Sequence, residues 1–357
     1  MTARALPGEG RRMRMRKVVI AAAGGHERLT LVETEAPRPG PGEVRIAVQA
    51  IGVNYADCVV RMGLYKSAQD FVGWPITPGF EVAGVIDAVG EGVTGLTIGA
   101  EVVAVTRFGG YATAVCVPEH QVFAVPAGLS LAEAAAVPAV YLTAWYALHA
   151  LAHARAGESV LVHSAAGGVG GALCQFGRRA GCRVIGVVGG PHKVAAARAA
   201  GAEVVIDKSS TPLWPAVEAA APGGVDVACD ANGPETLRSS YKHLAGGGRL
   251  IVYGFHTMLP RTGGKPNLLK LAFGFVRTPW FSPLALTNEN RGVLGFNLSY
   301  MFHRAPLLIE GMAAIAGGLA AEELRPPPIT TYPLEQVAQA HRDLESGRTI
   351  GKLVLLT

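Results

Sequence analysis

Ser159-Val160-Leu161-Val162-His163 runs without a break into Ser164-Ala165-Ala166-Gly167-Gly168-Val169-Gly170-Gly171. The first five residues, apolar and rich in β-branched side chains, predict a strand; the glycines predict a tight turn, and Val169–Ala180 a helix. A phosphate site needs its parts in this order. Gly167 and Gly168 let backbone approach a pyrophosphate, Gly170 lets the helix lie close on the strand, and the helix N-terminus turns unpaired N–H groups toward the anion. A glycine-rich turn alone would also suit ordinary strand–helix packing. The next hundred residues favour the phosphate site. Arg183–Val188, a helix over His192–Ala200, Val204–Asp207, a helix over Leu213–Ala220, Val225–Ala231, a helix over Thr236–Leu244 and Arg249–Phe255 alternate as in a doubly wound parallel sheet.

Toward the N-terminus the rhythm changes. Val18–Ala22, Leu29–Glu33, Val44–Val53, Glu81–Val89, Val102–Val105 and Tyr111–Val117 are short apolar runs separated by turn signals such as Pro37-Arg38-Pro39-Gly40-Pro41-Gly42. They predict an irregular, mostly antiparallel β domain with one helical insert, Tyr55–Met62. The tail reads as one more helix, Leu334–Ser346, and a strand, Lys352–Leu356. The expected division is a flexible basic extension over 1–15, a β-rich domain over 16–137 plus 304–357, and a nucleotide-binding domain over 138–303.

Composition supports this two-domain reading. Of 357 residues, 50% are hydrophobic and 17% charged, which excludes a disordered chain, and 46 glycines are too many for a helical bundle. The net charge of +5 owes much to Arg11, Arg12, Arg14, Arg16 and Lys17, so a nucleic-acid groove is not expected. Five scattered cysteines without a C-x-x-C pair suggest neither a disulfide framework nor a structural zinc, and point to the cytoplasm. Ala134–Ala154 lacks acidic residues, Lys and Arg, yet Pro138, Thr143, His149 and His153 favour a buried helical pair over a membrane span.

The end of the second parallel strand bears on the cofactor. An NAD site places an acid there for the adenosine ribose, whereas Val188-Gly189-Gly190 offers none. Lys193 and Lys208 lie near the same edge, which argues for NADPH; each alone could be a solvated surface charge.

From Arg16 onward the chain resembles the zinc-free medium-chain dehydrogenases/reductases of the quinone oxidoreductase type. The markers are Gly52-Val53-Asn54-Tyr55-Ala56-Asp57, Arg61-Met62-Gly63-Leu64-Tyr65, Pro78-Gly79-Phe80-Glu81, Gly90-Glu91-Gly92-Val93, Leu142-Thr143-Ala144-Trp145, the Ala165–Gly170 loop, Gly246-Gly247-Gly248-Arg249 and Gly351-Lys352. Asn288-Glu289-Asn290-Arg291-Gly292-Val293 with Gly295-Phe296-Asn297-Leu298 resembles more narrowly the branch named after a synaptic-vesicle membrane protein. The resemblance implies a GroES-like β-rich catalytic domain joined to a Rossmann domain. It departs from zinc-dependent relatives, which carry Cys where Asn54 stands and His where Phe80 stands, so no metal is expected.

By the same resemblance, Asn54 and Thr143 line the nicotinamide; Ala166, Gly167, Gly168, Val169 and Gly170 hold the pyrophosphate; and Gly190, Lys193 and Lys208 surround the 2′-phosphate. Asn232, Tyr253, Gly254, Phe255 and Lys352 lie along the cofactor, and Phe296 with Asn297 closes over the nicotinamide ribose. Tyr65 aligns with a proton donor of enoyl-thioester reductases, or is a pocket wall. Asn54 has a second role open to it, capping the helix Tyr55–Met62. The implied reaction is hydride transfer from NADPH to a quinone or to the C=C bond of an α,β-unsaturated carbonyl, in a homodimer. The competing class is an NADPH-binding scaffold contacting RNA or membranes with little turnover. No histidine can be paired with an acid from sequence. The segment between Phe255 and Asn288, mixing Arg261, Lys265, Lys270 and Arg277 with large apolar residues, reads as a lid, a dimer contact or a membrane-surface helix.

Overall fold

A computed structural model describes residues 13–357. In chain order its strands are β1 (Arg14–Val19), β2 (Thr30–Glu35), β3 (Glu43–Val53), β4 (Glu81–Val89), β5 (Glu101–Val105), β6 (Ala114–Pro118), β7 (Val122–Ala124), β8 (Ser159–Val162), β9 (Arg183–Val188), β10 (Val204–Asp207), β11 (Val225–Asp230), β12 (Leu244–Val252), β13 (Gly292–Gly295), β14 (Ile329–Pro333) and β15 (Lys352–Leu356).

Six of these form a parallel sheet in the order β10-β9-β8-β11-β12-β13. Counted from β8 this is 3-2-1-4-5-6, the order of dinucleotide-binding Rossmann sheets. Both faces are covered, so the central strands are apolar throughout. Val160 and Val162 pack with Tyr141 and Leu173 on one face, while Leu161, Ile185 and Leu250 pack with Val217 and Leu237 on the other.

The second large sheet runs β14-β15-β3-β4-β5-β7, with β6 also on β3, around Val44, Ile46, Val82, Ile86, Leu353 and Leu355. Here the tail returns: β15 pairs antiparallel with β3, Leu353 opposite Val53, which brings Lys352 beside Asn54. β1 and β2 pair separately.

Two expectations are corrected. Arg14 and Met15, assigned to a flexible extension, belong to β1 and pair with Glu35 and Thr34; the rest of that extension, residues 1–12, lies outside the described residues. The segment from 304 does not join the β domain as a whole. Its helix Ala305–Ala320 is almost wholly apolar and packs on the helix Pro138–Trp145, where a Cβ on Gly311 would lie 2.7 Å from Leu142. Leu308, Met312 and Ile315 accordingly share a core with Tyr141 and Leu173, and only β14 and β15 return to the β-domain sheet. The segment after Phe255 folds into helices Leu268–Arg277 and Pro283–Glu289, with Leu269 84% and Trp280 93% exposed.

Leu131–Leu151 is long and apolar enough to cross a membrane by length and composition, but 72% of its most apolar stretch is buried within the protein. It is a core element, interrupted by Pro138 and carrying Glu133 in its first turn.

Candidate functional site

The glycine-rich turn sits between β8 and the helix Gly168–Arg179, with Gly167 at its cap. Gly170 is obligatory: a Cβ there would lie 2.1 Å from the Ser164 carbonyl oxygen and 2.9 Å from the Ala165 Cα. At Gly167 the nearest atom to such a Cβ is 3.4 Å away, so backbone is open to a ligand at the helix N-terminus. The β domain holds the turn from the other side. Gly351 N–H donates to the Ala166 carbonyl at 2.8 Å, and Gly167 bridges Gly351.

At the ribose edge, Val188 is buried and the exposed Lys208 donates its backbone N–H to the Val188 carbonyl at 3.0 Å. Lys193 lies at the start of the helix after β9 and reaches across to the β domain. Its ammonium donates to the Gly347 carbonyl of the β domain, since no carboxylate is offered to it there. Burial, then the charges of Arg261 and Lys208, hold its pKa below the usual lysine value. Arg261, counted from sequence only as part of the segment after Phe255, is thus near enough to Lys193 for its charge to be felt there.

One carboxylate organises the opposite end. Glu81, fully buried at the start of β4, receives Lys352 Nζ at 2.6 Å and Asn54 Nδ2 at 2.9 Å on one oxygen, and Ala139 N–H at 2.7 Å on the other. Asn54 Oδ1 in turn accepts from Lys352. Asn54 precedes the helix Tyr55–Arg61, where Asp57 accepts its backbone N–H at 2.8 Å. Thr143, one turn beyond Ala139, donates its hydroxyl to the Ala139 carbonyl at 2.7 Å. Asn54 and Lys352 therefore meet at Glu81, with Thr143 one helical turn beyond its third partner, Ala139; sequence reasoning quoted Glu81 only as part of a motif. Its signal was a lone acid opening the apolar run Val82–Ile86.

Tyr65 stands beside this cluster. Its hydroxyl donates to Asn297 Oδ1 at 2.9 Å, and its ring packs edge-on to Phe80 at 5.7 Å and Phe108 at 6.3 Å, both of which border Ala139. Burial raises its pKa. Phe296 lies edge-on to Tyr146 at 4.9 Å and is stacked with Tyr253 at 6.3 Å.

Between the two ends, Asn232, Gly254 and Phe255 follow β11 and β12. Asp230 accepts from Asn232 N at 2.8 Å, Thr236 Oγ1 at 2.7 Å and Ser240 Oγ at 2.8 Å, which fixes this loop. Asn232 Oδ1 is buried without a hydrogen-bond partner among the described residues. His163 Nε2 lies 3.6 Å from Asp230, His26 Nε2 3.0 Å from Glu345, and His243 Nε2 3.1 Å from Glu218, so three histidines do have acidic partners. Sequence missed them because each pair joins residues far apart in the chain. The His163–Ser240–Asp230 group is not a nucleophile triad: Ser240 is fully buried and donates its hydroxyl proton to Asp230.

A catalytic zinc does not fit here. Phe80 has no donor atom, and the Lys352 ammonium sits on the Glu81–Asn54 pair. Cys58, His341 and Glu345 bring ligand atoms within 4.8 Å of one another elsewhere, but the Arg61 guanidinium is paired with that glutamate.

Residues 40–127 match the family described as alcohol dehydrogenase GroES-like domain, and residues 200–355 the family described as zinc-binding dehydrogenase. The human synaptic vesicle membrane protein VAT-1 homolog is 33% identical over 348 residues, 96% of this chain and 86% of that one. A quinone oxidoreductase from Lama guanicoe is 34% identical over 346 residues, 96% of this chain and 97% of its own. The solved structure of Escherichia coli quinone oxidoreductase complexed with NADPH superposes with a TM-score of 0.83 at 26% identity, covering 96% of this chain and 100% of that chain. The chain belongs to the medium-chain dehydrogenase/reductase family of oxidoreductases, in the branch that contains the quinone oxidoreductases and the VAT-1 homologues.

Proposed function

We propose that this protein is an NADPH-dependent reductase that delivers hydride, without a metal, to a quinone or to the C=C bond of an α,β-unsaturated carbonyl. The observation that supports the reading is the junction at Gly351-Lys352: these two adjacent residues hold the glycine-rich turn and the Asn54 amide, as one cofactor spanning from the turn to Asn54 would need. Ala166, Gly167, Gly168, Val169 and Gly170 would hold the pyrophosphate, and Gly190, Lys193, Lys208 and Arg261 the 2′-phosphate. Tyr253, Gly254, Phe255, Phe296, Asn297 and Asn232, with its unpartnered buried oxygen, would line the remainder.

The cofactor's contribution is the hydride. The chain's own contribution is orientation and exclusion of water. Asn54 and Thr143 present polar atoms at the nicotinamide end, and Phe80 and Phe108 form an apolar wall. Tyr65, its pKa raised, keeps a proton it can release to an enolate carbon or oxygen. NADPH oxidation measured against a panel of quinones and enones, with and without prolonged chelation, tests this. Turnover that survives chelation is expected; stoichiometric zinc lost together with activity contradicts the metal-free reading.

A further inference from the structure

We infer that Glu81 is a positioning residue for hydride transfer, acting through Asn54 and Lys352; this rests on the proposed reductase function. Glu81 cannot touch the reacting atoms, because its carboxylate is wholly buried and committed to three donors from three segments: Lys352 of β15, Asn54 at the end of β3, and Ala139 at the start of the helix that carries Thr143. It controls what does touch them.

The Asn54 amide has two similar ends, and unaided it could sit either way round. Here Nδ2 donates to the Glu81 carboxylate at 2.9 Å, and at a longer 3.4 Å to the Gly52 carbonyl, while Oδ1 accepts from the Lys352 ammonium. A flip would set oxygen against carboxylate and NH2 against ammonium, turning two attractions into two repulsions at low dielectric. Glu81 and Lys352 therefore decide which hydrogen-bonding face Asn54 offers to the nicotinamide end. The same carboxylate fixes the first turn of the helix from Pro138, and so the height of Thr143, whose hydroxyl is bonded to Ala139. Space is kept for it. A Cβ on Gly52 would fall 2.4 Å from a Glu81 oxygen and 2.4 Å from the Ala135 carbonyl.

The test compares Glu81→Asp and Glu81→Gln, each alone and in an Asn54→Ala background. Readouts are kcat with NADPH and an acceptor the wild type reduces, NADPH affinity by its fluorescence, and melting temperature. Glu81→Asp keeps the charge opposite Lys352 but is one methylene too short to reach all three donors. It is expected to lower kcat by roughly 10- to 100-fold with NADPH affinity held within about 3-fold, since small misplacements at a reacting centre cost rate. In the Asn54→Ala background the same change should cost at least about 3-fold less than it does alone, because the share that passes through Asn54 is gone and only the Thr143 share is left. Rate losses that multiply across the two backgrounds overturn the role, as does an aspartate variant with wild-type kcat or one whose rate and NADPH affinity fall together. Should Glu81→Gln fail to fold with Lys352 left unpaired, the aspartate pair alone decides the question. A wild type that reduces no acceptor overturns the reductase function and this role together, whereas an active wild type with indifferent variants overturns this role only.

Discussion

The proposed preference for NADPH rests on Val188, Lys193 and Lys208, and the two lysines are placed unequally for that role. Lys208 is exposed at the edge of the crevice, while the Lys193 ammonium is occupied by the Gly347 carbonyl and must leave it to reach a phosphate. Lys208→Ala is therefore expected to weaken NADPH by about 10-fold and leave NADH unchanged, with Lys193→Ala costing less. Val188→Asp should reverse the preference by opposing a carboxylate to the 2′-phosphate; titration of both cofactors checks all three. Tyr65→Phe should slow enone reduction by about 100-fold, the lower end for general acid catalysis, and quinone reduction far less, because solvent can protonate a quinol. Equal small losses on both substrates would make Tyr65 a wall. At this scale the identities of Asn54, Thr143, Lys352 and the glycines were legible, since each follows a short motif. Partnerships were not. Glu81 meets Lys352 only because β15 returns from the far end of the chain to pair with β3.

Among the elements, the glycine-rich turn leaves no room for a side chain at Gly170. Gly170→Ala would drive a methyl group into the Ser164 carbonyl, and is expected to abolish NADPH binding while the β domain stays folded, as circular dichroism and cofactor titration would report. Most of the parallel strands and their helices were readable within a residue or two, because continuous apolar runs alternate with amphipathic ones; the strand expected over Arg249–Phe255 instead runs from Leu244 to Val252, its start hidden by Gly246-Gly247-Gly248. The helix Ala305–Ala320 was not. Being apolar nearly all round it shows no 3.6-residue period, and only its contact with Pro138–Trp145 reveals which domain it serves. β13 ends the parallel sheet with a free edge, and the exposed Leu269, Phe273, Val276 and Trp280 precede it closely. The edge and these exposed side chains are the basis of the expected homodimer, for which light scattering should report a dimer at micromolar concentration. Leu269→Glu with Val276→Glu should shift it toward monomer; a wild-type monomer contradicts the expectation.

The whole molecule keeps histidines neutral in its interior. Burial, the largest cause each time, lowers the pKa of His26, His163 and His341 and pushes His256 down to about 4 from 6.5. Once unfolded these groups take up protons below about pH 6.5, whereas the folded chain resists, so stability should fall as the pH drops from about 6.5 toward 4. Asp57 works the other way: burial raises it from 3.8 to about 7, and its contribution grows on acidification across that window. Asp57→Asn should therefore steepen the acid loss of melting temperature between about pH 7 and 5, and a parallel shift at every pH would refute that assignment. The two-domain plan was legible from the change of rhythm near Leu131, yet the junction between the domains was not, because it depends on Gly351 from the far end of the chain meeting Ala166.

Hydride transfer from the cofactor is the step on which the proposed function stands, and isotope tracing tests it directly. With NADPH deuterated at C4 and an α,β-unsaturated ketone as acceptor, in the presence of a chelator, deuterium should appear at the β-carbon of the saturated product. NADPH should outperform NADH by roughly 10- to 1,000-fold in affinity. Oxidation of neither cofactor by any enone or quinone, or deuterium transfer that stops when metal is removed, would contradict it.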